Sequence, residues 1–493
     1  MKKQLFLLLM MLSPVVTMAY DAEIDGIYYN FNGTEATVTS GDNKYSGDIV
    51  IPETVTYNEM EYPVVCIGVH AFSQSDDLTS VTIANSVTTI ETYAFIGSSN
   101  LTSVTIPNSV TSIMGNVFQG CELTAIVVEE GNTKYDSRNN CNAIIETSSN
   151  TLITGCKNST IPNTVTCIGR SAFSSCRGLN SITIPNSVIT IEDYAFAYCR
   201  ALNSITIPNS VKTIGHSILS DCSDLTEIIV ENDNTVYDSR NNCNVIIETS
   251  SNTLISGCKN STIPNTVTSI GRSAFSSCRG LITIPNSVTT IGDYAFGGNN
   301  LTSIIIGKGV MNIGYFAFGN CSSLTDVYCY AETVPSTDND AFVDTPIGNI
   351  ILHVHAASID AYKMTKPWSD FKEIVSLNIE FADANVKEIC VANWDTNGDG
   401  ELSEVEAAAV TSLGGVFTDN SQITSFDELQ YFTGLNRIES EAFRGCSSLS
   451  SIEIPNNVTS IGQSVFEGCT GLISVNIPNS VTSIWKYAFV DCI

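Results

Sequence analysis

A unit of about 23 residues recurs along most of this 493-residue chain and constrains its fold more than any other feature. Its clearest marker is a phenylalanine, which alanine usually precedes and which Leu219 replaces once. The marker phenylalanines are Phe72, Phe95, Phe118, Phe173, Phe196, Phe275, Phe296, Phe318, Phe443, Phe466 and Phe489. A fixed period in this range predicts a solenoid, in which each repeat forms one coil and packs against its neighbours.

Each unit combines a strand-like part and a turn-like part. Around Phe173, the stretch LNSITIP alternates apolar and polar residues, which predicts a strand with Ser181 and Thr183 facing outward. The stretch IGRSAFSSC lacks this alternation, and we expect a short helical turn or 3₁₀ segment that packs Ala172 and Phe173 inward. The predicted fold class is an α/β solenoid with one parallel strand per coil.

The complete repeat resembles a known family. It reads C-x-x-L-x-x-I-x-I-P-x-S-V-x-x-I-G-x-x-A-F, and it is similar to the BspA-type leucine-rich repeat proteins, which are secreted surface proteins of anaerobic mucosal bacteria. The resemblance is specific because the Pro, the Ile-Gly and the Ala-Phe recur together over most of the chain. It implies adhesion to host matrix proteins and to other cells, whereas periodicity alone implies a solenoid.

Departures from the repeat divide the chain into six predicted segments. Aromatic and β-branched strands near the amino end are expected to cap the first coil, and Trp368 and Phe371 suit a lid over the last coil of the first array. The segments are 1–19, a signal peptide; 20–62, an N-terminal β cap; 63–330, a leucine-rich repeat array with two hairpin-bearing long repeats; 331–376, an array-closing segment; 377–430, an EF-hand-like calcium-binding linker; and 431–493, a second leucine-rich repeat array that stops inside a coil, uncapped.

The two long repeats begin at Tyr135 and Tyr237 and are nearly identical. Each is predicted to contain a β-hairpin around a Ser-Ser turn, which would set two cysteines opposite each other. An exported protein is free to form disulfides, whereas an error in the assumed register would prevent the bond. Both alternatives stay open for the pairs Cys141–Cys156 and Cys243–Cys258.

Most other cysteines occupy one slot of the repeat, which Ser98 and Asn299 take in two coils. These cysteines are Cys121, Cys176, Cys199, Cys222, Cys278, Cys321, Cys446, Cys469 and Cys492. A slot that accepts Cys, Ser and Asn and faces its own copy in the next coil is typical of a small-residue core ladder rather than of a metal or redox site.

The first residues have the features of a cleavable secretory signal. Lys2 and Lys3 precede an apolar run from Leu5 to about Val16, and small residues follow. No cysteine comes after this run to carry a lipid, and no second apolar segment is long enough to span a membrane. We expect a secreted or cell-surface protein with no transmembrane segment in the mature chain.

Composition narrows the class of function. With 51 acidic and 22 basic residues the chain has a net charge of −29, so nucleic-acid phosphates would be repelled. No nucleophile elbow, phosphate loop or paired catalytic carboxylates appear in the sequence. His353 and His355 stand on one strand face but lack an evident third metal ligand. We therefore expect no enzyme.

One short segment matches a metal-binding pattern: residues 394–410 read WDTNGDGELSEVEAAAV, which fits D-x-[DN]-x-[DN]-G-x₅-E at every defined position. Asp395, Asn397 and Asp399 would supply side-chain oxygens, Glu401 its backbone carbonyl, and Glu406 both carboxylate oxygens. Helical sequences flank the loop, so the segment resembles an EF-hand or dockerin half. We expect structural Ca²⁺ here; the alternative is a solvated acidic turn.

The outward strand positions form the candidate binding face. Hydroxyl residues make this face flat and nearly uncharged, which suits weak, multivalent contacts with extracellular or matrix proteins, other cells or glycans. The candidate residues are Ser80, Thr82, Ser103, Thr105, Ser181, Thr183, Ser204 and Thr206. Two alternatives are a non-catalytic surface scaffold, since Ser and Thr also simply suit strands, and a solenoid that binds ice or another regular polymer.

Overall fold

The computed structural model describes residues 20–276, 278, 283–396, 398 and 400–492. The chain forms two compact units. The first contains the residues up to Leu301 together with 312–323 and 340–345, and the second contains residues 302–311, 324–339 and 346 onwards. The predicted signal peptide, residues 1–19, lies outside the described residues.

The first unit begins with a small sheet rich in buried tyrosine and valine. Its strands are Ala22–Ile24, Ile27–Asn32, Glu35–Thr39, Thr54–Tyr57 and Met60–Ile67, antiparallel except for the pairing of Glu35–Thr39 with Met60–Ile67. The strand Gly47–Val50 pairs in parallel with Leu78–Thr82 of the first coil. Tyr45 packs its ring on Phe72, with 4.5 Å between the ring centroids. A capping role for this sheet stays a prediction.

Most regular coils of the first unit contain two strands, a longer one and a shorter one, so the prediction of one strand per coil is wrong. The longer strand alternates as expected: in Ser103–Ile106, the side chains of Val104 and Ile106 are buried. The second strand has two residues and pairs in parallel with the corresponding strands of the neighbouring coils. Its second residue is a mostly buried isoleucine, whose β-branched side chain favours extended backbone.

The longer strands of the first unit are Leu78–Thr82, Ser103–Ile106, Ala125–Val128, Ser204–Ile207 and Glu227–Val230, and the two residues Thr283–Ile284 form a strand in the same part of their coil. The two-residue strands are Thr89–Ile90, Ser112–Ile113, Cys167–Ile168, Thr190–Ile191, Thr213–Ile214, Ser269–Ile270, Thr290–Ile291 and Asn312–Ile313.

The segment around the Ala-Phe pair is a turn, not the expected helical turn or 3₁₀ segment. Ser171 and Ser175 have φ of 55° and 61°, which interrupts helical geometry. The amide of Phe173 donates to the carbonyl of Ala195 in the next coil, at 2.8 Å. Alternate amides therefore bond to the neighbouring coil, while the amides of Ala172, Ser174 and Cys176 bond to carbonyls three residues earlier in the segment. The prediction that Ala172 and Phe173 are buried is confirmed.

The cysteine slot lies in the core, as predicted, and also has a hydrogen-bonding role. Cys199 Sγ donates to the carbonyl of Phe173 at 3.0 Å, and the equivalent Ser98 Oγ donates to the carbonyl of Phe72 at 2.5 Å. Burial raises the pKa of the Cys222 thiol to about 12. The slot thus accepts small residues that also carry a donor.

Both long repeats contain the predicted hairpin, and all 17 cysteines of the chain are free thiols. The register shifts by one residue between Ile144 and Ile145, so Ala143 lies opposite Gly155. Continuing this register places Asn142, not Cys141, opposite Cys156, and the second hairpin repeats the shift. The strands of the first long repeat are Tyr135–Asp136, Ala143–Glu146 and Thr151–Gly155, with a 3₁₀ segment at Arg138–Asn140. The strands of the second are Tyr237–Asp238, Val245–Glu248 and Thr253–Gly257, with a 3₁₀ segment at Arg240–Asn242.

The second unit starts with a parallel sheet in which the predicted array-closing segment supplies two strands. The strands are Ser303–Ile306, Asp326–Cys329, Ile351–Val354 and Glu373–Ser376. Around them lie the strand Ser336–Thr337, the 3₁₀ segments Ile347–Asn349, Ala356–Ser358 and Trp368–Asp370, and the helix Ile359–Lys363. Trp368 is fully buried, and its Nε1 donates to Thr337 Oγ1 at 3.1 Å.

The helices Ala384–Trp394 and Glu404–Ala409 follow, and then the strands Ser425–Phe426, Arg437–Ile438, Ser451–Ile452, Ser460–Ile461 and Ser483–Ile484, with a 3₁₀ segment at Asp427–Tyr431. Phe417 stacks on Phe443 at 5.3 Å between ring centroids, and its carbonyl accepts a hydrogen bond from Cys446. The coil pattern therefore begins before the predicted boundary at 431.

Candidate functional site

The candidate strand Ser103–Ile106 presents its hydroxyl groups outward, as predicted. Ser103 and Thr105 are exposed on the outer side of their strand, because the intervening Val104 packs into the core. This strand pairs with Ala125–Val128, which sets Thr105 beside Val127. The outer face of this sheet therefore combines hydroxyl and apolar side chains.

Ser80 and Thr82 lie on the first long strand, beside the strand Gly47–Val50. Ser80 Oγ and Thr79 Oγ1 both donate to Asp48 Oδ1, at 2.6 and 2.7 Å, and these two hydrogen bonds lower the pKa of Asp48. Thr82 is exposed next to Val50, which is 64% exposed. The Ser80 hydroxyl already has a partner, whereas Thr82 stands on an open surface.

The four remaining candidates differ in their setting. Ser181 and Thr183 are exposed as expected, but residues 179–184 have no strand, contrary to the prediction. Thr206 is exposed and Ser204 half-buried on Ser204–Ile207, and the register sets them beside Ile229 and Glu227. The hydroxyl row is thus interrupted by residues that sequence reasoning did not single out.

The apolar interruptions share one signal in the sequence. Val50, Val127 and Ile229 occupy the outward position that carries threonine in other coils, and each is markedly exposed. Strand alternation, which we applied to the hydroxyl residues alone, identifies them as well. These residues therefore do not form the regular Ser-x-Thr array that binding to ice would require.

The parallel sheet of the second unit carries aromatic and apolar residues at its outward positions. The register sets Ile305, Tyr328, His353 and Val375 side by side on adjacent strands. Tyr328 and His353 stack with 4.3 Å between ring centroids and 13° between ring planes. His353 Nε2 lies 3.0 Å from Asp326 Oδ1, which holds the imidazole in this stacked position.

His355 has a different carboxylate partner. Its Nδ1 lies 3.0 Å from Glu404 Oε1, and Glu404 Oε2 also accepts a hydrogen bond from the amide of Ala356, at 3.2 Å. His353 and His355 therefore lie on one face, as predicted, but each binds its own carboxylate. This arrangement orients the two rings and does not gather them around one point.

A cleft of about 360 Å³ opens beside this aromatic row, at the end of the sheet. Its walls carry Tyr328, Tyr330 and Phe381, together with Asn378, Glu380, Lys387 and Glu401. Lys387 Nζ lies 2.6 Å from Glu401 Oε1, so two of the charged groups in the wall form an ion pair. The cleft combines aromatic rings with hydrogen-bond donors and acceptors, and sequence patterns did not reveal it because its residues come from four separated stretches of chain.

The predicted calcium loop runs between the helices Ala384–Trp394 and Glu404–Ala409, as the flanking sequences indicated. Asp395 accepts hydrogen bonds from the amides of Gly398 and Gly400, at 2.7 and 2.9 Å. Both glycines have a positive φ, 76° and 84°, which the tight turn of the loop requires. Two further predicted ligands, Asn397 and Asp399, lie outside the described residues.

Glu406, the last predicted ligand, closes the loop. Its Oε1 accepts from the amide and hydroxyl of Thr396, and its Oε2 accepts from the amide and hydroxyl of Ser403. Burial by itself would raise the pKa of Glu406, but these hydrogen bonds outweigh it and lower the pKa to about 2. The carboxylate is therefore ionised, and each of its oxygens accepts two hydrogen bonds from residues of the loop.

The loop is joined to the parallel sheet by backbone pairing. The amide of Ile379 donates to the carbonyl of Leu402 at 2.8 Å, and the amide of Glu404 donates to the carbonyl of Leu377 at 3.0 Å. The buried Leu402 thus makes its short β contact with residues that extend the sheet strand Glu373–Ser376. In paired EF-hands, a second loop provides this contact.

Among the residues that the structure describes, no three His, Cys, Asp or Glu side chains are close enough together to hold a metal ion. Asp399 is not one of the described residues. In the same part of the chain, every helix is too short or too polar to cross a bilayer.

The chain is similar to known proteins over most of its length. The model of the family described as BspA type leucine rich repeat region matches residues 65–154, 151–255, 245–365 and 415–493. A leucine rich cell surface protein from Faecalibacterium prausnitzii is 24% identical, with 92% of this chain and 94% of that one covered and a TM-score of 0.40.

Two further solved structures are a leucine-rich repeat protein from Bacteroides ovatus and the pneumococcal vaccine antigen PcpA. The first is 23% identical over 96% of this chain and 93% of that chain, with a TM-score of 0.33. The second is 18% identical over 73% and 99%, with a TM-score of 0.36. No curated protein matches this chain.

Proposed function

Because this chain belongs to the BspA-type leucine-rich repeat family, we propose that it is a secreted or cell-surface, non-catalytic protein that binds extracellular proteins through the outward face of its long strands. The observation that supports this most is the outer side of the paired strands Ser103–Ile106 and Ala125–Val128. Thr105 and Val127 stand there side by side, exposed and uncharged. Such a surface loses little solvation energy when a partner covers it.

Adhesion to matrix proteins or other cells is the specific form of this proposal. Each coil offers only a small contact, so useful affinity has to come from several coils or several copies acting together. Because the hydroxyl and apolar side chains are uncharged, they do not select for a positively or a negatively charged partner. A scaffold that merely extends the surface is the competing view, and it predicts no saturable ligand.

The test is binding of the purified chain without residues 1–19 to immobilised matrix glycoproteins, epithelial cells and partner bacteria. We expect saturable binding to one of these surfaces. The variants Thr105→Glu and Thr206→Glu introduce a carboxylate into the face and should together weaken binding about tenfold or more. Thr111→Glu is the matched control, since Thr111 is exposed beside the short strand Ser112–Ile113 and not on a long strand. Absence of saturable binding by folded protein would favour the scaffold.

We also propose that residues 395–406 hold Ca²⁺ as a structural ligand. Asp395, Asn397, Asp399 and Glu406 would provide side-chain oxygens and Glu401 its carbonyl, and the bound ion would neutralise this group of carboxylates. A dissociation constant of about 10⁻⁴ to 10⁻³ M would suffice outside the cell. The pairing of Leu402 with Ile379 supports a structural role, because it ties the loop to the sheet.

Replacing Glu406 by Gln tests the calcium proposal. The amide keeps the size of the side chain but removes the charge and one of the two oxygens, so the loop should lose its affinity for calcium. We expect calcium to protect the wild-type chain from proteolysis near residue 395, and not the variant. Glu388→Gln is a control, because Glu388 is exposed on the preceding helix, outside the loop. Equal cleavage of the wild-type chain with calcium and with chelator would contradict the proposal.

A further inference from the structure

We propose that the cleft between Tyr328, Tyr330, Phe381 and the ion pair Lys387–Glu401 binds a neutral hexopyranose unit of a glycan. The cleft is lined by residues of the second unit, whereas the candidate hydroxyl residues belong to the first, so this proposal does not rest on protein adhesion through those residues. Its volume, about 360 Å³, lies at the lower end of the range of small-molecule sites, about 300–1,000 Å³. The cleft thus suits a small ligand or the end of a larger one.

The aromatic rings supply a stacking surface. Tyr328 is held against His353 at 4.3 Å, and the imidazole is fixed in turn by Asp326. Tyr330 contacts the ring of His355 edge to face, with 6.3 Å between centroids, and Glu404 fixes that imidazole. Both tyrosines are therefore pre-oriented, which lowers the entropy cost of binding. The C–H face of a pyranose is apolar and slightly positive, and it packs well on the negative face of such rings.

The polar groups favour hydroxyls over a simple ion. Asn378 can both donate and accept, Lys387 donates, and Glu380 and Glu401 accept. Burial, with a smaller effect of nearby carboxylates, raises the pKa of Tyr328 and Tyr330, so both phenols are neutral and donate near pH 7. A sugar hydroxyl can bind donors and acceptors at once, because it both donates and accepts hydrogen bonds. A single cation or anion can bind only one of the two kinds of group.

Charge separates a neutral sugar from the competing ligands. Lys387 in the wall repels a basic side chain, and its ion pair with Glu401 reduces the attraction that the Glu401 carboxylate would exert on a cation. An acidic sugar meets Glu380 and the net charge of −29 of the whole chain. A neutral hexose meets neither obstacle, and the aromatic rings still contribute to its affinity.

The experiment titrates the purified full chain with the methyl glycosides of glucose, galactose, mannose and N-acetylglucosamine, using ligand-observed NMR and calorimetry. We expect saturable binding of at least one of them, and binding of glucuronate about tenfold weaker than that of glucose. Tyr330→Ala should weaken binding about tenfold or more. Tyr328→Phe keeps the ring and should change affinity less than Tyr328→Ala. Tyr198→Ala, at an exposed tyrosine elsewhere, should have no effect.

Several results would overturn the assignment. One is the absence of saturable binding by any of the four glycosides to protein whose circular dichroism and unfolding midpoint are normal. Another is binding that Tyr330→Ala leaves unchanged, which would place the sugar elsewhere. Tighter binding of methylguanidinium than of the glycosides would assign the cleft to a basic side chain instead. If Tyr328→Ala does not fold, the affinities of Tyr330→Ala and Tyr328→Phe decide whether the sugar binds in the cleft.

Discussion

At the scale of single residues, the cysteine slot shows how one position serves many coils. In most of them its side chain is buried and donates to the carbonyl of a phenylalanine of the preceding coil, as Cys199 does to Phe173 and Asn299 to Phe275, whereas Cys278 donates to the carbonyl of Gly257. A buried carbonyl left without a donor costs about 1–3 kcal/mol. The repeat therefore accepts Cys, Ser and Asn, which differ in shape but share a donor, and the thiol is used for packing rather than for chemistry.

This explanation predicts different outcomes for two substitutions of Cys199. Cys199→Ser keeps the donor and follows the natural Ser98, so it should change the free energy of unfolding by less than about 1 kcal/mol. Cys199→Val has similar bulk but no donor and should destabilise the protein by about 1–3 kcal/mol. Denaturant unfolding of both variants measures the difference. Equal losses for Ser and Val would show that packing alone governs the slot.

At the scale of elements, the long repeats depend on a close approach between hairpin and coil. A Cβ atom at Gly155, the last residue of its strand, would lie 2.2 Å from Cε1 of Phe173, and one at Gly257 would lie 2.1 Å from the same atom of Phe275. These glycines have ordinary backbone angles, so the reason for glycine is space for the aromatic ring. The hairpin can approach the stack of phenylalanines because it has no side chain there.

Gly155→Ala is therefore expected to destabilise the protein by about 1–3 kcal/mol, since the new methyl group displaces a buried ring. Gly257→Ala should behave in the same way in the copied repeat. Gly115→Ala is a matched control, because its Cβ would have no neighbour within 4 Å and its φ is not positive. Chemical denaturation compares the three variants. A loss for Gly115→Ala as large as for Gly155→Ala would contradict the steric explanation.

At the scale of the whole molecule, charge is the dominant property. The acidic residues exceed the basic ones by 29, and most of the described ion pairs involve partly exposed side chains, which contribute little each. Mutual repulsion of the excess carboxylates destabilises the compact state. The hydroxyl and apolar side chains of the candidate face, and the cleft with its Lys387–Glu401 ion pair, are thus placed on a strongly anionic protein.

Screening of this repulsion should stabilise the chain. Raising NaCl from about 0.01 to 0.15 M shortens the Debye length from about 30 to 8 Å. With a chelator present throughout, we expect the midpoint of thermal unfolding to rise by about 2–4 °C, the shift that roughly 1 kcal/mol produces in a domain of moderate size. KCl should act like NaCl, since screening does not depend on the identity of the ion. A midpoint that falls or stays constant would show that self-repulsion is not a significant term.

The sequence by itself determined the repeat, the inward position of residues such as Phe173 and Val104, the core placement of the cysteines and the two hairpins. These features depend on periodicity and on short-range pairing, which a linear pattern contains. The calcium loop is also a local motif, and its ligand function stays a prediction. The tertiary structure alone decided the second strand of each coil, the turn at Ser171 and Ser175, and the register that separates Cys141 from Cys156. It also brought Tyr328, Tyr330 and Phe381 together, because contacts between distant stretches of chain follow from how coils and loop pack.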